Sequence, residues 1–348
     1  MTIVDVRVGT DRSDWWIAGS RHVDAYAALK AGDAGPLARI DLPAARPVVT
    51  VCGVGKTAAL ATQHLRARGL NALTLAGGMR AWSLAWNTAE VDMPRSSARV
   101  VQIRRTGKGC LSYLLGSDQE AVVIDPSVDA HVYQEEAARN GWRIRQVLET
   151  HIHADHVSRA RHLAALTGAR LGLPAQDRVK FDHAPISEGD EIKVGATSLT
   201  ALRTPGHTAE STSYLIDGAI FTGDTLFLAS VGRPDLGATK GDPGARASDL
   251  FCSVKRLLAL PAATLVLPGH SSEPIAFDRI SVAADLADVR RRLEPLLSNE
   301  REFVTSVLAH IPAEPPIHGS IVNINESGSV PDGNLTDLEA GGNRCAIA

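Results

Sequence analysis

One short stretch constrains this chain more than any other: Thr150-His151-Ile152-His153-Ala154-Asp155-His156. Three imidazoles and a carboxylate fall in a single loop. Neutral imidazole with carboxylate is the donor set that borderline divalent metals take. In an extended backbone His151 and His153 project to the same side. Residues 145–150 read as a strand end and residues 156–167 have helical spacing, so the loop is anchored at both ends. Donors of the same kind recur downstream in turns. Thr204-Pro205-Gly206-His207-Thr208 presents His207, Phe221-Thr222-Gly223-Asp224-Thr225 presents Asp224, and Leu265-Val266-Leu267-Pro268-Gly269-His270 presents His270. A single His or Asp after a strand is ordinarily a cap or turn residue. Three such turns beside the first loop predict a metal centre.

The rest of the composition narrows the class. At 348 residues, 44 % hydrophobic and 22 % charged, the chain fits two globular domains with ample core. A formal net charge of −3 gives no electrostatic case for nucleic acid or an anionic membrane. No run approaches the ~20 apolar residues of a membrane span. The start, Met1-Thr2-Ile3-Val4-Asp5-Val6-Arg7, lacks the basic and apolar regions of a secretory signal. Cys52, Cys110, Cys252 and Cys345 are widely scattered rather than arranged as a disulfide framework, which points to a reducing cytoplasm.

Val48-Val49-Thr50-Val51-Cys52 is a buried-strand pattern broken by Gly53-Val54-Gly55. Residues 57–69 have helical spacing, 71–75 form a second strand, and 79–86 a second short helix. Alternating strands and helices predict a small parallel α/β domain. Gly55-Lys56-Thr57 is not a phosphate-binding loop, because that pattern needs glycine where Thr50 stands. Cys52 lies instead at a strand end beneath a glycine-rich turn that opens a helix. Backbone N–H groups of such a turn and the positive end of the helix both favour a thiolate. A buried, inert cysteine is the competing reading.

The motifs Asp5-Val6-Arg7, Arg21-His22-Val23-Asp24-Ala25, Cys52-Gly53-Val54-Gly55-Lys56-Thr57-Ala58 and Leu75-Ala76-Gly77-Gly78-Met79-Arg80-Ala81-Trp82 resemble a rhodanese domain. That family carries sulfane sulfur as a persulfide on the loop cysteine, so the resemblance makes Cys52 catalytic. The family's loop usually has arginine where Thr57 stands and serine where Ala58 stands. Lys56 is the neighbouring charge that would bind the anionic substrate, thiosulfate in the usual case. Residues 99–312, with the His/Asp loops above, resemble the metallo-β-lactamase superfamily. The implied fold class is α/β: a small rhodanese-like parallel α/β domain followed by a metallo-β-lactamase αββα sandwich.

Two chemistries follow from that resemblance. In a binuclear zinc hydrolase like glyoxalase II, a glutathione-thioesterase, one Zn(2+) takes His151, His153 and His207. The other takes Asp155, His156 and His270, with Asp224 between them. In the persulfide dioxygenases a single Fe(2+) takes His151, His207 and Asp224, a facial two-His-one-carboxylate set. His153, Asp155, His156 and His270 then orient ligands and manage protons. The sulfur-carrying domain in the same chain favours the dioxygenase. So does Val231-Gly232-Arg233-Pro234-Asp235, which resembles a family segment whose arginine holds glutathione; a loop ion pair between Arg233 and Asp235 is the alternative. Cys110-Leu111-Ser112-Tyr113-Leu114-Leu115-Gly116 resembles the family's early cysteine-bearing strand, and Asn343-Arg344-Cys345 its tail. Ser271-Ser272 stand where the family commonly has Asp-Tyr, so a tyrosine contact to the thiol is missing. The expected partners are a small-molecule thiol persulfide, glutathione, thiosulfate and sulfite, with a homodimer as the assembly the resemblance allows.

The expected domains are 1–90, a linker at 91–98 within a polar stretch beginning at Thr88, 99–315, and a tail at 316–348. Helical spacing continues through 285–297 and 300–310. The Gly-, Ser- and Asn-rich tail is expected to be largely extended, with its end docked.

Overall fold

The computed structural model describes the chain except residues 94–95, 237–241, 272, 316, 332–334 and 348. Pro94 and Pro316, read as linker and tail prolines, and Ser272 of the Ser271-Ser272 pair lie outside the described residues.

The N-terminal domain is built on a parallel four-stranded sheet in the order Arg21–His22, Thr2–Asp5, Val48–Val51, Ala72–Thr74. Helix Lys56–Ala67 packs Ala58, Ala61 and Leu65 onto the same core as Val4, Val6 and Val48. This is the small parallel domain the alternation of strands and helices predicts.

The remainder is a four-layer sandwich. A seven-stranded sheet runs Ala184–Ile186, Arg170–Pro174, Arg143–Leu148, Glu120–Ile124, Cys110–Ser117, Arg99–Arg105, Asn87–Val91. A six-stranded sheet runs Glu191–Val194, Thr197–Arg203, Thr212–Ile216, Ala219–Gly223, Leu265–Pro268, Ala284–Asp285. The period-two alternation of strands divides the apolar residues between faces. Tyr113, Leu115, Val122 and Ile124 point inward to Leu199, Tyr214 and Phe221 of the other sheet, with the Tyr113 and Phe221 rings edge-to-face at 4.9 Å. Leu114, Ala121 and Val123 point outward to Tyr133 and Leu163 of helices Ala130–Arg139 and Ala160–Thr167. Ile220 and Val266 meet Leu250, Val254 and Phe303 of helices Pro243–Leu258 and Glu300–Ala309 on the far side. Among the described residues no helix is long and apolar enough to cross a membrane.

Two sequence expectations are corrected. The stretch read as a linker from Thr88 is in part strand: Asn87–Val91 pairs antiparallel with Arg99–Arg105. Its side chains alternate buried and accessible, with Asn87, Ala89 and Val91 inside; a polar edge strand lacks the apolar run that would mark it. The tail is not extended from His318. Residues His318–Ser327 form a helix, and Thr336–Glu339 a short turn of helix.

That tail straps the two domains together. Asp337 pairs with Arg80 of the N-terminal domain at 2.5 Å and Arg344 with Asp14 at 2.5 Å. Glu339, 1 % exposed, is held by Arg105 at 2.7 Å and Arg159 at 3.0 Å. Burial alone would raise the Glu339 pKa, but the two guanidinium groups pull it below the ordinary carboxylate value. A depressed folded-state pKa adds stability that is fully present above the unfolded value, ~4.3, and is lost as pH falls through the folded one. Glu339→Gln should therefore cost about 3–5 kcal/mol at pH 7 by leaving Arg105 buried and unpaired. The variant should also show a shallower loss of stability than the wild type as pH drops below ~4.3, read from urea midpoints across pH.

Candidate metal centre

Every predicted donor loop opens at the C-terminal end of a strand. His151 to His156 follow Arg143–Leu148, His207 follows Thr197–Arg203, Asp224 follows Ala219–Gly223, and His270 follows Leu265–Pro268. The two sheets thus deliver all seven side chains to one edge of the sandwich. There is little room between the loops. Gly223, at φ +49°, lies so close to Thr150 that a Cβ would come within 2.4 Å of its Oγ1. A Cβ on Gly232 would come within 1.9 Å of the Asp224 carbonyl.

The hydrogen bonds fix where each imidazole lone pair points. Thr150 Oγ1 donates to Asp125 Oδ2 at 2.8 Å and so accepts from His151 Nδ1–H at 2.9 Å, leaving Nε2 bare. His207 Nδ1–H donates to the Arg233 carbonyl at 2.8 Å, which also leaves Nε2 bare. His153 Nε2–H donates to Glu149 Oε2 at 3.0 Å, and His156 Nδ1–H to Asp155 Oδ1 at 3.0 Å. Of the nine buried side-chain atoms without a hydrogen-bond partner among the described residues, four lie together here: His151 Nε2, His153 Nδ1, His156 Nε2 and Asp224 Oδ2. Orphaned buried polar atoms are costly, and all four belong to the donor set. A cation is the partner they lack.

His151 Nε2 and His207 Nε2 stand 3.9 and 3.7 Å from Asp224 Oδ2. That is beyond hydrogen-bond reach. Two donors each ~2.1 Å from one shared ion stand at most ~4.2 Å apart, so these distances suit a common metal. Burial, with neighbouring His153 and His207, holds the His151 pKa well below the ordinary value, and burial likewise lowers that of His207. Both are therefore in the neutral form that ligates.

The other side chains are paired among themselves. His270 spans two carboxylates, with Nδ1 2.5 Å from Asp224 Oδ1 and Nε2 2.9 Å from Asp155 Oδ2. Burial opposes charge on His270, but Asp224 and Asp155 outweigh it and lift its pKa well above the ordinary value. Burial likewise opposes charge on His153, and Asp125 and Glu149 overrule it. A cation at His153 Nδ1 would take the place of that proton. Cys110 Sγ is 3.3 Å from Asp155 Oδ2. Burial and Asp155 push that thiol up, and His270 and His156 outweigh them, bringing it to about 7. Cys345 brings its sulfur beside Asp224 and His270, the donor atoms of the three lying within 4.8 Å of one another. A cavity of about 300 Å³ lies behind the loop, lined by Leu171, Leu173, Phe181 and Ile324 and reaching His151, His153 and Glu149.

Arg233, expected to hold the thiol carrier, forms the ion pair with Asp235 that was the alternative. It is fully buried. Its Nε and Nη2 are bound to Asp235 at 2.7 and 2.8 Å, and its Nη1 reaches the carbonyls of Arg344 and Ala313 at 3.2 and 3.4 Å. Each of its three nitrogens thus has a protein partner. Sequence reasoning also passed over Asp125, Glu149, Asn325 and Asn343 as partners of the site. Asp125 carried a signal, a carboxylate closing a strand before Pro126, but its partner lies 25 residues away.

In the first domain Cys52 Sγ accepts from Gly55 N–H at 3.2 Å and Ala58 N–H at 3.3 Å, beneath the start of helix Lys56–Ala67. The backbone nest is present, around a side chain only 2 % exposed. Lys56 is exposed at the first helical position, and Thr57 and Ala58 are buried.

Fold and donor set together define a metal-dependent enzyme. The description Rhodanese-like domain fits residues 1–85, and Metallo-beta-lactamase superfamily fits residues 105–270. A hydroxyacylglutathione hydrolase of Methylococcus capsulatus is 34 % identical over 203 residues, 56 % of this chain and 75 % of that protein. One from Methylobacillus flagellatus is 37 % identical over 160 residues, and this chain spans only 60 % of its length. Among solved structures, a metallo-beta-lactamase from Staphylococcus aureus matches with TM-score 0.61 and 28 % identity, over 68 % of this chain and 74 % of that one. ETHE1 from Myxococcus xanthus matches with TM-score 0.56 and 27 % identity, over 70 % of this chain and 99 % of that one. The chain belongs to the metallo-β-lactamase superfamily and carries a rhodanese-like domain ahead of that fold.

Thr150→Val removes the acceptor that turns His151 Nε2 inward. It should weaken metal affinity about 10–100-fold, the usual cost of losing such a supporting bond. Chelator competition on the purified protein measures it, and unchanged affinity would show that the Thr150 contact is incidental.

Proposed function

We propose that the second domain is a mononuclear Fe(2+) persulfide dioxygenase and that the first supplies or accepts sulfane sulfur through Cys52. The observation that carries this reading is the contrast between the two donor sets. His151, His207 and Asp224 face one another at distances that suit a shared ion, and Cys110, Asp155, His156 and His270 form a second close group whose donors are taken up differently. His270 has both ring nitrogens engaged by carboxylates. A second metal on Asp155, His156 and His270 would have to break those bonds.

The overall reaction is RSSH + O2 + H2O → RSH + SO3²⁻ + 2H⁺. The sulfane sulfur gives up four electrons and O2 takes them. Iron, when bound, supplies the one-electron steps that let O2 react with a sulfur nucleophile. The chain's own residues do the rest. Thr150 and the Arg233 carbonyl orient the ligating imidazoles. The loops bury the centre and exclude water. His270, between Asp224 and Asp155, holds a proton beside the site where acid is released. The fused sulfur-transfer domain shares its small molecules with this reaction, and the fusion raises their local concentration. The likeness to ETHE1 is compatible with this reading.

The hydroxyacylglutathione hydrolase relatives favour a second reading, a binuclear zinc thioesterase. The orphaned His156 Nε2 is the observation on its side.

Metal analysis of anaerobically purified protein, with O2 uptake on glutathione persulfide, separates the two. One iron per chain, sulfite as product and loss of both in His207→Ala is the expected result. Two zincs and thioester hydrolysis would replace it with the hydrolase reading. Cys52→Ser should abolish sulfur transfer from thiosulfate yet leave oxidation of added persulfide near the wild-type rate, with a Cys52 persulfide seen by mass spectrometry in the wild type alone.

A further inference from the structure

The seven donor side chains are not equally enclosed. Asp155 is 8 % exposed, while the other six are at 1–2 %. The site is therefore most open at the Asp155 corner. Asp155 Oδ2 accepts from Asn343 Nδ2 at 3.3 Å, a long bond from a half-buried side chain. The Asn343 Oδ1 in turn accepts from Cys345 N–H at 2.8 Å.

Outside that corner lies a crevice of about 40 Å³ between the two domains. Its floor includes Gly109, Ser271 and Asn343. Gly109 adjoins Cys110 and Ser271 adjoins His270, and the Ser271 N–H donates to the Gly109 carbonyl at 3.0 Å. Its opposite wall is Trp15 and Trp16, from the N-terminal domain. That wall is fixed in place. Trp15 Nε1–H donates to the Gly107 carbonyl at 2.9 Å, and Arg344 pairs with Asp14. Gly342 is pressed against Asp14, where a Cβ would come within 2.7 Å of its carbonyl. The larger cavity behind the loop is lined by His151 and His153 together with Glu149 and Ser158, and it takes no residue from the N-terminal domain.

We propose that substrate reaches the metal centre through this interdomain crevice, with Asn343 as the gate and Trp16 of the N-terminal domain as a wall of the binding site. The reasoning rests on the metal centre but not on which reaction it performs. The crevice holds little more than one water. It admits the narrow reacting end of a thiol-derived substrate once Asn343 swings aside, while the carrier lies along the outer surface against the Trp16 ring. The N-terminal domain is then part of the second domain's binding surface as well as a sulfur carrier. Asn343 and Trp16 are positioning residues.

The test uses the full-length metal-loaded protein with Trp16→Ala, Trp16→Phe and Asn343→Ala. KM is measured on glutathione persulfide and on S-lactoylglutathione, so that a thioesterase would be read as readily as a dioxygenase. Loss of an indole contact should raise KM about two- to tenfold in Trp16→Ala with kcat little changed, and Trp16→Phe should restore most of it. Metal extraction by pyridine-2,6-dicarboxylate, which needs no turnover, should be faster in Asn343→Ala. Sulfur transfer at Cys52 should stay at the wild-type rate in all three. Wild-type KM in Trp16→Ala together with unchanged extraction in Asn343→Ala would overturn the proposal. A chain that binds no metal would instead sink the reading of the centre itself.

Discussion

The metal loop hangs from one carboxylate. Asp125 closes the strand Glu120–Ile124 at φ +52°, a left-handed conformation that a short polar side chain tolerates. From there its carboxylate takes the Thr150 N–H at 2.7 Å, the Thr150 hydroxyl at 2.8 Å and His153 Nε2 at 3.3 Å. Burial opposes its charge, but His153 and the other donors overrule it and bring its pKa to about 2. Because the Thr150 hydroxyl is spent on Asp125, its lone pair must receive the His151 proton. One anion thereby sets the tautomer of one imidazole and secures a second. Removing it would free the donor loop at both places.

The rest of the site is arranged around the charges this produces. His270 binds Asp155 to Asp224, so the strand ends of both sheets are joined through one ring. On the opposite flank Asn325, from the tail helix, donates to the carbonyls of His153 and His156 at 2.8 and 2.9 Å. Glu339 accepts the Val157 N–H at 3.0 Å and gathers Arg105 and Arg159. The tail thus finishes work begun more than 150 residues earlier. The same tail carries the ion pairs to Asp14 and Arg80, so one segment both closes the donor loop and reaches the N-terminal domain.

What was legible in the sequence follows the range of the interactions. The donor loops could be read because each is a local pattern, an apolar strand broken by glycine and closed by a ligand. The Cys52 turn is legible for the same reason, whereas the two-sheet sandwich is implied by the family resemblance and its central strands are buried on both faces. The tail helix could not be read. His318–Ser327 has few good helix formers, and it is held by Asn325 and by contacts to residues far away in the chain, which leave no periodic mark. The edge strand Asn87–Val91 reads as a linker in sequence because only one of its faces is covered. The contacts of Arg233 to the carbonyls of Ala313 and Arg344 are equally out of reach of local pattern, because they come from far along the chain.

The close approach at Gly223 and Gly232 has an evolutionary consequence. At these two positions beside the donor set the wall is main chain, and a side chain at either would collide with Thr150 or with the Asp224 carbonyl. A lineage cannot widen or recolour such a wall by point mutation, because each step would cost the ligand geometry first. Heritable variation in what this enzyme accepts is confined to the rim. Where that rim includes Trp15 and Trp16 of the neighbouring domain, a change in one half would be felt by the other.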